Sequence, residues 1–157
     1  MTVVVIGLGN DLRRDDGIGP TVARQVADHV APDVCVSVSD GGDPATLLEA
    51  WTGAQLAVIV DAVVCDPPRP GTVYRLTPDE LGDVRAGGTF STHGIALDHT
   101  VRLGAVLDRL PHRMIVLAVE VADLGGGRGL SPAVGRAVDT AVSAVLSVIG
   151  EHSDRMS

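Results

Sequence analysis

The chain has 157 residues, which is the size of one domain and is long enough to bury a hydrophobic core without disulfides or metals. Hydrophobic residues make up 45% and charged residues 20%, which excludes disordered, collagen-like and coiled-coil chains. The net charge of −8 argues against nucleic-acid or membrane partners, and the absence of Lys excludes lysine-dependent chemistry.

The N-terminal sequence and the two cysteines favour a cytoplasmic protein. The first ten residues lack the basic segment and the cleavage site of a signal peptide, and no uninterrupted apolar run approaches the roughly 18 residues of a membrane span. Cys35 and Cys65 lie in or next to apolar stretches without a CxxC partner. We therefore expect both to be reduced and buried as small hydrophobic side chains.

Strand and helix patterns alternate along the chain. The first half predicts strands at 2–6, 34–39 and 55–64, a helix at 16–30, and a short helix from Asp43-Pro44 to about Trp51. The second half predicts strands at 72–76 and 113–121, a capping box at Thr77–Glu80, an irregular surface loop at 82–92, and helices at 94–110 and 133–149. Gly150 is expected to end the last helix.

This alternation predicts a three-layer α/β sandwich, in which a twisted sheet of about five strands carries helices on both faces, as in phosphorylase/hydrolase-like folds. Residues 1–150 are expected to form a single domain, and residues 151–157 a frayed tail. Ligands of such sheets bind beyond the carboxyl ends of the strands. The loops that follow the strands are therefore where function is sought.

The loop after the first strand begins with Gly7-Leu8-Gly9 and carries several acids. The third glycine of a dinucleotide-binding motif is replaced by Leu12, and the carboxylates would repel a pyrophosphate, so a Rossmann cofactor is disfavoured. Asp15 is interpreted mainly as an acid at a helix N-terminus. Asp16 is interpreted as a functional residue.

Two more polar residues occupy similar places. Asp61 ends a strand that is expected to be central, where an ionised carboxylate needs a cation or hydrogen-bond donors. His93 precedes a predicted helix and, taken alone, would be a surface or capping residue. The other four histidines are expected to be solvated. Two carboxylates and one imidazole at one sheet edge suit a divalent metal with open coordination positions, so Asp16, Asp61 and His93 form a candidate constellation.

The ordered motifs resemble those of the hydrogenase maturation proteases, the endopeptidases that trim the C-terminus of the [NiFe]-hydrogenase large subunit. The resemblance is carried by Val4–Asn10 with Arg14–Gly19, by Asp40-Gly41-Gly42, by Val58–Ala62 and by Ser91-Thr92-His93. It implies that nickel is bound by Asp16, Asp61 and His93, and that Asp40 lies near the substrate groove. The stretch that follows Glu120 departs from the family's pattern, so no role is assigned to Glu120.

The resemblance implies an aspartic-type, nickel-dependent peptidase whose nickel arrives with the precursor, and the acidic composition without an export signal favours a monomer. The metal or a nearby carboxylate such as Asp40 would activate water, and the serines Ser39 and Ser91 are disfavoured as nucleophiles because no base is evident. Two alternatives stay open. One is a nickel-checking chaperone that binds the precursor without cutting it, and the other is a peptidyl-tRNA hydrolase, which the Gly-Leu-Gly-Asn opening also resembles.

Overall fold

The computed structural model describes residues 2–40, 43–65, 67–80 and 94–157. Its strands are β1 (Val3–Leu8), β2 (Val34–Ser39), β3 (Leu56–Val63), β4 (Val73–Leu76) and β5 (Met114–Glu120). They form one sheet in the order β2-β1-β3-β5-β4, in which only β4 runs antiparallel to its neighbour. The helical elements are a 3₁₀ turn (Arg14–Gly17), α1 (Ile18–Ala27), α2 (Pro44–Trp51), α3 (Gly94–Val106) and α4 (Pro132–Met156).

The predicted three-layer α/β architecture is confirmed. Helices α1 and α4 pack on one face of the sheet through side chains such as Ile18 and Val145, and helices α2 and α3 pack on the other through Trp51 and Leu97. Strands β1, β3 and β5 are buried along their whole length, as continuous apolar runs in a doubly covered parallel sheet should be. Strand β2 lies at one edge of the sheet and is partly exposed.

Local signals placed several element ends correctly. Asp43 caps α2 by accepting a hydrogen bond from the Ala45 N–H at 3.0 Å, with Pro44 in the first helical turn. The Thr77–Glu80 capping box also forms: each residue's backbone N–H donates to the other's side-chain oxygen at 3.3 Å. Residues 78–80 are helical, and the irregular loop predicted at 82–92 lies outside the described residues.

Other boundaries were wrong by a turn or more. The helix predicted at 16–30 is a 3₁₀ turn followed by α1, which ends at Ala27, and the helix predicted at 94–110 ends at Val106. The strand predicted at 2–6 extends to Leu8, so Gly7 lies within it. A single glycine is tolerated in a strand and does not by itself end one.

The predicted frayed tail at 151–157 is wrong because α4 continues through Gly150 to Met156. Two tertiary contacts hold the last turns. Glu151 forms an ion pair with Arg75 of β4 at 2.7 Å, and His152, which was expected to be solvated, is 5% exposed. The length and composition of α4 would also allow it to cross a membrane, but its apolar side packs into the core.

The cysteine prediction holds only in part. Neither cysteine forms a disulfide, but Cys35 is exposed and Cys65 is half-buried. Cys35 lies on β2, and the position of that strand at the sheet edge explains its exposure. The alternation of the sequence could not show which strand would lie at the edge.

Candidate active site

The loop after β1 is folded tightly against the 3₁₀ turn that carries Asp16. Gly9 has a φ of 146°, and its N–H donates to the Ser39 carbonyl at the end of β2 at 2.9 Å. A Cβ at Gly9 would lie 1.9 Å from the Asp16 carbonyl oxygen, so no larger residue fits this position. The ends of β1 and β2 and the turn with Asp16 therefore form one compact unit.

The carboxylate of Asp16 is held by the backbone of that loop. Its Oδ2 accepts a hydrogen bond from the Asn10 N–H at 2.9 Å, and the side chain of Asn10 in turn accepts from the Leu12 N–H at 2.9 Å. Only 1% of Asp16 is exposed. An acid this buried at the carboxyl edge of a sheet is positioned by its surroundings and is not a freely solvated surface group.

Asp61 lies within β3 and not at its end, because the strand continues through Val63. It is 2% exposed, pairs in register with Ala118 of β5, and its Oδ1 accepts from the Ala62 N–H at 2.8 Å. The predicted position near the carboxyl edge is correct to within two residues. The sequence left open whether a cation or hydrogen-bond donors satisfy this carboxylate. The Ala62 N–H is one such donor.

The first residues of α1 bring the two acids to the same part of the fold. The 3₁₀ turn that carries Asp16 contacts β3, which carries Asp61. Close behind this turn, a Cβ on Gly19 would lie 2.1 Å from the Leu8 carbonyl oxygen and 2.7 Å from that of Val60. The glycine therefore lets α1 start directly on the ends of β1 and β3.

Asp15, the neighbour of Asp16, has the structural role that was favoured for it, but through different contacts. It is fully buried, and its carboxylate accepts hydrogen bonds from the N–H groups of Ala122, Asp123 and Ser131 at 2.6–3.0 Å and from the Ser131 hydroxyl at 2.8 Å. Burial by itself would raise the pKa of Asp15, but these donors outweigh it and lower the pKa below its usual value. Asp15 thus joins the 3₁₀ turn to the segment between β5 and α4.

This arrangement also changes the role of Ser131. A Ser followed by Pro is typical of a capped helix start, and Ser131 does occupy the cap position of α4, with Pro132 next to it. Its hydroxyl donates to Asp15 and makes no capping hydrogen bond. Sequence spacing could not reveal this contact because 116 positions separate the two residues.

Glu120, to which no role was assigned from the sequence, is a buried structural acid. It is completely buried at the end of β5 and accepts hydrogen bonds from the Tyr74 hydroxyl at 3.0 Å and from the Arg69 N–H. Burial, together with Glu120 and the nearby Cys65, raises the pKa of Tyr74 to about 12. A glutamate that ends an apolar strand was the available signal for such a site.

Asp40 is exposed directly after β2, next to a groove of about 310 Å³. The residues that line this groove come from the loop after β1, from α1 and from the end of β2, and they include Asn10, Asp11, Pro20, Arg24, Val38 and Asp40. Arg24 and Asp11 are joined by two hydrogen bonds at 2.6 and 3.2 Å. A groove therefore lies beside Asp40, and its role in binding substrate stays a prediction.

The structure does not test the whole predicted constellation. His93, Ser91 and the two glycines after Asp40 lie outside the described residues. Within the described ranges, no group of three or more His, Cys, Asp or Glu side chains could hold a metal ion. Asp16 and Asp61 supply two carboxylates of the type that suits a divalent cation, and the third predicted ligand, His93, stays a prediction.

Buried carboxylates at the carboxyl edge of an α/β sheet, with an open groove nearby, are typical of a substrate or ligand site. Comparison with known proteins identifies its class. Residues 20–148 match the family model "HycI: Hydrogenase maturation protease". The chain belongs to the hydrogenase maturation protease family, and the protease interpretation is thereby favoured over the peptidyl-tRNA hydrolase.

Individual relatives support the same assignment. The chain is 26% identical over 151 residues to the hydrogenase expression/formation protein HupD of Thiocapsa roseopersicina, covering 95% of this chain and 68% of that one. It is 26% identical over 153 residues to the hydrogenase 2 maturation protease of Escherichia coli K12, covering 96% and 92%. The [NiFe] hydrogenase maturation protease HybD of Thermococcus kodakarensis superposes with a TM-score of 0.78 at 26% identity, covering 94% and 99%.

Proposed function

We propose that this protein is an endopeptidase that removes the C-terminal extension of a [NiFe]-hydrogenase large-subunit precursor after nickel has been inserted. The observation that carries the proposal is the pair of almost completely buried carboxylates, Asp16 and Asp61. They lie on contacting elements near the carboxyl ends of the strands. Family membership supplies the reaction class. The protein is proposed to act in the cytoplasm as a monomer that binds its precursor transiently.

Nickel is proposed to arrive as part of the substrate. The precursor would present the ion to Asp16, Asp61 and His93, so that only a loaded precursor binds productively. Carboxylate and imidazole ligands suit a borderline divalent ion, and they leave positions that the precursor's own ligands can fill. Cleavage then depends on whether the precursor contains the ion.

The proposed reaction is hydrolysis of one peptide bond. A water oxygen adds to the scissile carbonyl carbon, the carbon–nitrogen bond breaks, and a proton passes to the leaving amine. The ion polarises the water or the carbonyl. Asp40 is exposed beside the groove and is the proposed group that accepts the proton from water. This assignment corresponds to an aspartic type of peptidase.

The test is cleavage of a purified precursor, with and without prior nickel loading, followed by mobility on a gel. Asp16→Asn, Asp61→Asn and His93→Ala should each reduce cleavage of the loaded precursor by more than the roughly 10- to 100-fold that outer-shell changes cost. His99→Ala and Asp28→Asn are matched controls, because both side chains are exposed and lie outside the proposed site. They should cleave at the parental rate.

Different results would reject different parts of the proposal. Normal cleavage by folded Asp16→Asn and Asp61→Asn variants would reject the two carboxylates as ligands. Equal cleavage of nickel-free and nickel-loaded precursor would reject nickel recognition while leaving the peptidase assignment in place. Binding of the loaded precursor without any cleavage would show that the protein is the nickel-checking chaperone.

A further inference from the structure

The free edge of β2 carries two grooves, one on each face of the sheet. Strand β2 pairs only with β1 and ends the order of strands among the described residues. On the α2 side lies a groove of about 320 Å³. It is lined by Ile6, Ser37, Leu47, Thr46, Glu49 and Ala50, together with the end of β2. On the α1 side lies the groove beside Asp40 described above.

Adjacent side chains of β2 face different grooves. Ser37 is in register with Ile6, whose side chain belongs to the core on the α2 side, so Ser37 faces that groove. Val38 is the next residue, points to the opposite face, and lines the groove that also contains Pro20 and Arg24. The two grooves meet at the end of β2, where Val38 also borders the α2-side groove. Val38 is 48% exposed and is therefore accessible to a partner.

The arrangement matches what an added strand requires. An extended peptide that pairs with a free sheet edge gains main-chain hydrogen bonds, and its successive side chains point to alternate faces. Such a peptide on β2 would place every second side chain in the mainly apolar groove beside α2. The intervening side chains would enter the polar groove beside α1, which contains Arg24 and Asp11.

The same edge is continuous with the candidate active site. The Ser39 carbonyl at the end of β2 accepts from the Gly9 N–H, and the next residue, Asn10, donates its N–H to Asp16. Asn10 also lines the α1-side groove. A peptide that is paired with β2 and continues past the carboxyl end of that strand therefore reaches the loop that positions Asp16.

We propose that the C-terminal extension of the precursor binds as a sixth strand along the free edge of β2, with its side chains alternating between the two grooves. This inference rests on the proposed function, which supplies a peptide that must reach Asp16 and Asp61. The extension is the proposed occupant because the edge of β2 is continuous with the loop that positions Asp16, so a segment that follows the scissile bond can reach that edge. The segment after that bond can adopt an extended conformation.

Sheet geometry sets the length of peptide that this binding needs. Neighbouring strands lie about 4.8 Å apart, so an added strand is about 14 Å from β3 and Asp61. An extended chain covers about 3.3 Å per residue, so about four residues connect the scissile bond to the docked segment. Extensions shortened to fewer than about five residues should therefore lose the β2 contact.

The test uses the nickel-loaded precursor and separates KM from kcat. Ser37→Arg obstructs the α2-side groove and Val38→Arg the α1-side groove, and each should raise KM about tenfold or more with kcat changed less than about twofold. Val106→Arg is the matched control, since Val106 is 84% exposed at the end of α3, far along the chain from either groove. It should leave both constants unchanged. Thermal unfolding confirms that each variant is folded.

A second measurement addresses strand pairing itself. Proline placed at successive positions of the precursor's extension removes one backbone N–H at a time, and only every second N–H points towards β2. The inference predicts that KM rises at alternate positions from about the fifth residue onwards. The strand proposal would be overturned if the parent cleaves the precursor, both groove variants keep the parental KM, and the proline series shows no alternation. Failure of the parent to cleave any loaded precursor would instead reject the proposed function.

Discussion

Asp15 allows the most detailed prediction about the stability of this fold. Its carboxylate is fully buried and accepts hydrogen bonds from four donors. Three of them are backbone N–H groups from the segment that connects β5 to α4. In Asp15→Asn, the amide oxygen can replace Oδ2, which accepts three of these hydrogen bonds. The amide NH₂ must then replace Oδ1, where the Ser131 N–H donates at 2.6 Å. Two donors would face each other at that position.

The cost follows from the number of donors that lose their acceptor. One buried donor without an acceptor costs about 1–3 kcal/mol, and the remaining bonds lose the strength that the charge gave them. We therefore expect Asp15→Asn to lower the free energy of unfolding by about 2–3 kcal/mol. Asp15→Ala removes the acceptor of all four donors and should cost about 4–5 kcal/mol. At about 2–4 °C per kcal/mol for a domain of this size, Tm should fall by roughly 4–12 °C and 8–20 °C.

The assay is thermal and urea unfolding followed by circular dichroism, with Asp11→Asn as the control. Asp11 is also an acid near the start of α1, but its partner Arg24 has a side chain that is 56% exposed. Loss of such a surface pair should cost no more than about 1 kcal/mol. If Asp15→Asn unfolds at the same temperature as the parent, the four-donor arrangement does not contribute as described.

The pH dependence gives an independent check. Because the folded-state pKa of Asp15 lies below its unfolded value near about 3.9, its stabilisation is complete above that value and is lost as pH falls through the folded pKa. The difference in unfolding free energy between the parent and Asp15→Asn should therefore be constant near neutral pH and decrease in acid. A difference that grows as the pH falls would contradict this account.

The remaining predictions concern packing and a second buried acid. Gly150→Ala should raise Tm by roughly 1–4 °C, since its position inside α4 is open space and Ala is favoured over Gly in a helix by about 0.5–1 kcal/mol. Gly19→Ala should instead lower the free energy of unfolding by more than about 3 kcal/mol, because its Cβ would overlap two backbone carbonyls. Equal effects of the two substitutions would contradict the close packing of α1 on β1 and β3. Tyr74 is the chain's sole tyrosine, so an ultraviolet titration of the folded protein should show a pKa near about 12, and one near about 10 would show that it is not buried against Glu120. Tyr74→Phe should lower the free energy of unfolding by about 1–2 kcal/mol because Glu120 loses a hydrogen-bond donor. In the parent protein, the stabilisation by the Tyr74 hydroxyl should be lost as pH rises from about 10 through 12.

The sequence by itself determined the layers of the fold and most of its elements. Continuous apolar runs such as 56–63 are long enough for strands and have no polar face, so they must lie inside a sheet covered on both sides. Local chemistry placed the start of α2, because Asp43 and Pro44 act within one turn. The acids Asp16 and Asp61 were also recognisable, since carboxylates next to apolar strands need a specific reason to be there.

Only the tertiary structure decided which contacts join distant parts of the chain. The partners of Asp15 lie more than 100 positions away, and the last turns of α4 are held by Arg75 of β4, so neither the anchored loop nor the extended helix could be inferred from local spacing. The order of strands likewise placed β2 at an edge of the sheet. Hydrophobic periodicity describes how one element meets its immediate surroundings, whereas strand order and long-range hydrogen bonds depend on how all the elements pack together.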